Sequence, residues 1–322
     1  MVGPLDRPRA TSLPAPPLEP LPGASPMSEF KELFDRYKSH LNNDFEVIGM
    51  VTRSPDGDRI FPLPHDAALI SKWFELVTAP IIYQIGRKMG RRVFENKRQN
   101  KYPDFTLIND ADPFDKIAID VKSSYRRFLR DGISWYAEFT LGSATKFRNP
   151  QVKSSSAHFP MAHYREHWVI GYIYSRRTDL PGGDFHLTFP IEDREKVECP
   201  IADVRVFCQE MYRIAGEMPG SRNTANIGSI RGTSVEEFDA GQGPFATRGF
   251  EYFQSYWSDF DVRSGRAFSN IPEYDRYLEE RGKRHRLMGV LDAAAESLSE
   301  AQVVESNVLP MVRRSRGRAR SG

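Results

Sequence analysis

Apolar positions along this chain follow two rhythms. Spacings of three and four residues, the period of an amphipathic helix, run through Ser28 to Leu41, Ala67 to Met89, Ser234 to Ala240, Gly249 to Phe260 and Glu273 to Glu280. Pro80 removes a backbone donor inside the second of these and predicts an interruption there, while Gly90 predicts its stop. Strand-like runs, short and apolar or alternating, mark Asp104 to Ile108, Lys116 to Ser123, Ile133 to Leu141, Trp168 to Tyr174 and Val204 to Cys208. Phe45 to Met50 and Arg59 to Leu63 flank Asp56-Gly57, a dipeptide suited to a tight turn, and predict a hairpin.

Helices and short strands interleave without an internal repeat or a low-complexity linker, which predicts one α/β domain over residues 27–283. Residues 1–26 hold eight of the 23 prolines and almost no periodic apolar pattern, so nothing there offsets the entropy of ordering and a disordered tail is expected. Met27 opens the first helical pattern and is an alternative start of translation. Residues 284–322 read as a helical extension and a basic tail, with Arg313, Arg314, Arg316, Arg318 and Arg320 and no acid after Arg313.

Composition narrows the setting. Two cysteines, Cys199 and Cys208, are too few for a disulfide framework and lack the paired spacing of a zinc site. No apolar run approaches the roughly 20 residues that cross a bilayer, and the N-terminus lacks a signal-peptide pattern. A soluble, cytoplasmic protein with no membrane partner is expected. The formal charge of +2 does not mark a nucleic-acid binder. Locally, however, Arg87, Lys88, Arg91, Arg92, Lys97, Arg98 and Lys101 face the single acid Glu95, a concentration able to meet phosphates or simply a solvated face.

The chemistry concentrates in Tyr102-Pro103-Asp104 and Ile117-Ala118-Ile119-Asp120-Val121-Lys122. Alternate residues of a strand share a face, so Asp120 and Lys122 project together while Ile119 and Val121 point to the core. Asp104 supplies a second carboxylate if its strand pairs with that one. Two carboxylates and a backbone carbonyl, that of Val121, make a partial oxygen shell for Mg²⁺, which keeps several of its own waters. Phosphodiester hydrolysis needs such a metal and a cation where negative charge gathers, the place of Lys122, which could also orient or deprotonate the attacking water. Glu75, on the preceding helix, is a candidate third acid, for a second metal or for holding the first ligands, or else an ordinary helix carboxylate. On residue types alone Asp-x-Lys is a weak signal, because such residues commonly edge strands.

Collinear matches strengthen it. The Pro-Asp and Asp-x-Lys pair places the chain with the PD-(D/E)xK nuclease superfamily, and within it the chain resembles the EcoRV-type restriction endonucleases. The resemblance runs through Phe74-Glu75-Leu76 with Pro80-Ile81-Ile82, Gln99-Asn100 with Tyr102 to Leu107, and Lys116 to Asp120 with Lys122. It continues through Phe139 to Gly142, His167-Trp168 with Ile170 to Tyr172, Ile214 to Gly216, Gly220-Ser221, Asn223-Thr224 and Asn226 to Ile230. It covers roughly Met27 to Lys283.

The resemblance implies a restriction-endonuclease fold, with a mixed central sheet flanked by helices and a small dimerisation hairpin at Phe45 to Leu63. It also implies a homodimer that encloses palindromic double-stranded DNA and cuts both strands at the centre of a six-base-pair site, leaving blunt ends. Asp104, Asp120 and Lys122 fall on the family's catalytic positions and Glu75 on a helix acid near them. A DNA methyltransferase protecting the same site, as a functional partner without direct contact, completes the implied system. Base reading falls to Gly220-Ser221-Arg222-Asn223-Thr224-Ala225-Asn226 in the major groove, where asparagine offers a donor and acceptor pair to adenine, and to Arg98-Gln99-Asn100 in the minor groove. Arg263 and Arg266 fall where the family reaches the DNA backbone. Arg222, Ala225 and Arg98 depart from the family, in place of glycine, threonine and glutamine. With Gly220, Asn223 and Thr224 retained, GATATC or a relative with the same outer bases is the expected site. A non-cutting DNA-binding protein on the same scaffold, or a small-molecule phosphohydrolase, is the competing reading.

Overall fold

A computed structural model describes residues 28–41, 46–64, 66–98, 101–177, 188–220, 226–260 and 267–281. Helix α1 (Glu29–Tyr37) starts where the Ser28 hydroxyl accepts the Phe30 N–H, and it continues as a 3₁₀ turn to Leu41. The hairpin follows as β1 (Gly49–Thr52) and β2 (Arg59–Pro62), somewhat displaced from the expected limits, with Gly57 in the turn at φ +112°. Asp66 caps α2 (Ala67–Lys88) by accepting from the Ala68 and Leu69 amides.

Contrary to expectation, α2 runs through Pro80 without a break. The proline is exposed and would unpair the carbonyl of Leu76, on the outer face of the helix, within reach of water. Burial of Phe74, Thr78, Ile81, Ile82 and Ile85 on the inner face holds both halves in line. The Thr78 hydroxyl, bonded to Tyr172 Oη at 2.7 Å, and the stacked rings of Phe74 and Tyr172 tie that face to the sheet. The predicted stop at Gly90 is observed, with φ +63° there.

The chain then lays down β3 (Arg92–Glu95), β4 (Phe105–Ile108), β5 (Lys116–Tyr125), β6 (Arg127–Phe128), β7 (Trp135–Tyr136), β8 (Thr140–Ser143), β9 (Tyr164–Arg176), β10 (Phe189–Pro190) and β11 (Ile201–Glu210). A short α3 (Met211–Ile214), β12 (Ala215–Pro219), β13 (Asn226–Ser229), α4 (Val235–Ala240), α5 (Gly249–Asp259) and α6 (Ile271–Glu280) complete it. The central sheet has the order β11-β9-β5-β4-β3, with β5 and β9 parallel and the other neighbours antiparallel. It is the expected mixed sheet. β12, β13 and β8 form a second, three-stranded sheet, and β10 joins the hairpin.

The run from Ile133 to Leu141 is not one strand. It divides into β7, a single bridge from Ala137 to Gly232, and β8. Ala137, Phe139 and Leu141 are all buried, so the period-two reading holds. At Phe139 the ladder is irregular, because its amide donates to the side-chain Oγ of Ser229 in β13, at 2.8 Å, and not to a backbone carbonyl.

Two apolar layers enclose the central sheet. Ile117, Ile119 and Val121 of β5, with Ile170 and Tyr172 of β9, pack against Phe30 and Phe34 of α1 and Phe74 and Ile82 of α2. Ala118, Val169 and Phe207 belong to the opposite layer, with Phe238 of α4, Phe253 and Trp257 of α5 and Tyr274 of α6. At Gly171 a Cβ would stand 2.2 Å from the Phe207 ring, so glycine leaves the space in which that ring of β11 lies over β9. No helix among the described residues is long and apolar enough to cross a membrane.

Candidate active site

Asp120 and Lys122 lie on β5 on the side opposite Ile119 and Val121, as the alternation predicts; Ile119 and Val121 are buried in the core. Asp104 immediately precedes β4. The ladder pairs Phe105 with Ile119, and one further step of this antiparallel register sets Asp104 across from Asp120. A hydrogen bond closes the end of the ladder, from the Val121 N–H to Asp104 Oδ2 at 2.8 Å. Lys122 Nζ lies 2.6 Å from Asp120 Oδ2 and 3.5 Å from the Val121 carbonyl oxygen. The three predicted residues and the Val121 carbonyl thus meet at one place.

Electrostatics follow from this crowding. Burial, then the charge of Asp120, push the Asp104 carboxyl up to about 8, against the opposing pull of Lys122 and the Val121 amide. Burial works against the Lys122 ammonium, but Asp120 and Asp104 together outweigh it and hold Lys122 above the ordinary lysine range. The site thus binds an excess of negative charge that one lysine answers only in part.

These residues fit a divalent cation. Asp120 Oδ2 is buried and makes no hydrogen bond, its close neighbour being the Lys122 ammonium. Among the described residues no group of three or more His, Cys, Asp and Glu could enclose a metal. A pair of carboxylates with a carbonyl suits Mg²⁺, which retains much of its water shell, better than a metal that demands a full protein cage. Glu75 is near enough for its charge to raise Asp104, but its carboxylate pairs with Lys72 at 2.5 Å.

The acids open onto a cleft of about 410 Å³, whose walls include Tyr102, Lys122, Thr140, Lys146 and Asn226. Asn226 brings in the predicted base-reading loop. Its carbonyl accepts the Gly220 N–H at 2.8 Å, closing the loop's stem, and Asn226 and Gly228 pair with Ser143 and Thr140 of β8. Gly228 is required there, since a Cβ would lie 2.8 Å from the Met218 carbonyl oxygen. Arg98 is exposed, and its N–H donates to Asn96 Oδ1. Asn96 also donates to the Lys101 carbonyl and bonds His158 Nε2 at 2.6 Å, stapling both ends of the second predicted loop. Sequence reasoning missed Asn96, His158 and Lys146, which no motif marks. Gln99, Asn100, Ser221, Arg222, Asn223, Thr224, Ala225, Arg263 and Arg266 lie outside the described residues, as do both tails.

A mixed sheet that delivers Pro103-Asp104 and Asp120-Val121-Lys122 to the floor of an open cleft has the architecture of the PD-(D/E)xK nucleases. Comparison with known proteins narrows this class. The profile of the family described as Restriction endonuclease EcoRV matches residues 41–279. The type II restriction enzyme EcoRV of Escherichia coli is 36% identical over 240 residues, covering 74% of this chain and 92% of that protein. The chain therefore belongs to the EcoRV family of type II restriction endonucleases, and it is a deoxyribonuclease. The solved structure of the NlaIV restriction endonuclease overlaps 77% of this chain and 89% of its own, with 12% identity and a TM-score of 0.35, too loosely to add to the assignment.

Proposed function

We propose that this protein is a Mg²⁺-dependent, homodimeric endonuclease that cleaves both strands of a palindromic duplex, GATATC or a relative with the same outer bases, at its centre. The observation that carries the reading is the pairing of Asp104 with Asp120 across β4 and β5, with Lys122 beside them, in a cleft shared with the stem of the base-reading loop. Asp104, Asp120 and the Val121 carbonyl would hold the metal. Bound there, Mg²⁺ supplies a Lewis acid for the phosphoryl oxygen and a water of lowered pKa. Lys122 places a positive charge where the oxygens of the pentacoordinate phosphorus gather negative charge, and its ion pair with Asp120 fixes it there.

The exposed apolar side chains of the hairpin, Met50, Val51 and Phe61, support dimerisation through β1 and β2. A two-fold dimer presents identical readers to the two halves of a palindrome. We assign the single nuclease domain to residues 27–283 and place the enzyme in the cytoplasm, beside a methyltransferase that modifies the same site. Arg222 is the residue of the reading loop able to change the site, since it can grip a guanine bidentately or only a phosphate. Digesting a plasmid of known sequence and reading the cut ends tests the proposal. Blunt ends at the centre of GATATC are expected. Absence of cutting over a range of Mg²⁺ and Mn²⁺ would refute the nuclease reading, and discrete cuts elsewhere would refute the site.

A further inference from the structure

Three lysines of the described chain are buried, and they are treated differently. Lys31 lies between Asp35 and Asp239, at 2.9 and 2.8 Å. Lys116 donates to the Pro113 carbonyl, with Asp112 and Asp115 near enough to favour its charge. Lys146, in the turn after β8, is 1% exposed and has no carboxylate of the described residues within 4 Å. Its ammonium donates to the Leu141 carbonyl at 3.2 Å and stands 3.7 Å from the centre of the Tyr102 ring. A buried ammonium that no carboxylate touches is costly to keep charged, so a structural strut is a poor use of it, and an apolar side chain of the same length would pack there more easily.

The surroundings of Lys146 point to an anion. Its side chain lines the same cleft as Asp104, Asp120 and Lys122. Gly142, at φ +85°, where the backbone itself favours glycine, sits against the ammonium, and a Cβ there would come within 3.1 Å of Nζ. Burial, eased by Asp120, pushes Lys146 down to about 7, and an arriving anion would restore its full charge. In a nuclease cleft the anion at hand is the DNA backbone.

We propose that Lys146 is a second cationic contact of the active-site cleft, binding a backbone phosphate of duplex DNA beside the phosphate that Lys122 attends. The inference rests on the nuclease reading above. Lys146 would act on every sequence alike, because a phosphate contact positions the duplex without reading it.

The test is the salt dependence of DNA binding by full-length K146M and K146R, measured in EDTA on a duplex containing GATATC and on an unrelated one. One lost phosphate contact lowers the slope of log affinity against log salt by about 0.9, so the loss of affinity between 50 and 200 mM salt shrinks by about 3-fold for K146M on both duplexes. K146R should keep the wild-type slope, and K146M should melt no lower than wild type. A wild-type slope in a folded K146M overturns the proposal. If K146M does not fold, K146Q decides by the same slope, and an unchanged slope there is equally fatal. Wild-type protein that neither binds nor cuts DNA defeats the nuclease reading itself, whereas wild-type cutting with an unaltered K146M slope defeats only the assignment of Lys146.

Discussion

Replacing Asp104 by asparagine should stabilise the metal-free protein while abolishing cleavage. Burial first, and Asp120 second, push the Asp104 carboxyl up to about 8, against 3.8 for a solvated aspartate. The folded protein therefore holds a proton that the unfolded chain releases. Wild-type stability must fall as pH rises from about 4 to about 8 and level off above, the direction for an acid whose folded pKa is raised. At about 1.4 kcal/mol per pH unit, the ceiling of this penalty is roughly 6 kcal/mol at pH 8. Asp104 lines an open cleft, so water screens much of it, and the amide oxygen can still accept the Val121 N–H. A net gain of about 2 kcal/mol for Asp104→Asn remains. Urea unfolding in EDTA at pH 5, 7 and 9 measures it: the gap between variant and wild type should be small at pH 5 and widest at pH 9. Millimolar Mg²⁺ should then stabilise the wild type alone, since only a ligand bound by the folded state adds stability. A variant less stable than wild type at pH 9, or a gap that does not change with pH, would show that folding does not raise the Asp104 carboxyl.

Lys122→Met should bind duplex DNA within about 3-fold of wild type yet cut it at least about 100-fold more slowly, as plasmid nicking and gel shift together report. Metal binding must displace the proton held by Asp104, so Mg²⁺ affinity should rise with pH up to about 8, with proton release visible as a buffer-dependent heat in calorimetry. Gly171→Ala drives a Cβ into the Phe207 ring at 2.2 Å and should cost about 1–3 kcal/mol in urea unfolding. Because Gly171 pairs with Lys122 in the β5–β9 ladder, the same variant should also slow cleavage, and a stable, fully active Gly171→Ala would contradict this packing.

Much of strand β5 was legible before any coordinates. Alternate residues of a strand share a face, so Ile117, Ile119 and Val121 had to go to one side of β5 and Asp120 and Lys122 to the other, and the packing follows that division, with the three apolar residues in one layer and Ala118, on the face of the acids, in the other. Local chemistry also sufficed for the Asp56-Gly57 turn and the stop at Gly90. Such features depend on neighbours within a turn or two of chain.

Other features depend on partners far away in sequence, and only the tertiary structure decided them. Asp104 meets Asp120 because β4 and β5 adopt one register, which a slip of one residue would have undone by turning the acids to opposite faces. α2 passes through Pro80 because its buried face is held by the sheet, a constraint stronger than the local cost of a proline. Lys146 carries no motif at all: its place beside the acids follows from the turn after β8, the ring of Tyr102 and the space left by Gly142. The pattern of the chain determined which side chains would face the cleft from a given strand. Long-range packing decided which strands, and which further lysine, would share it, because burial is a property of the assembled layers and not of any one segment.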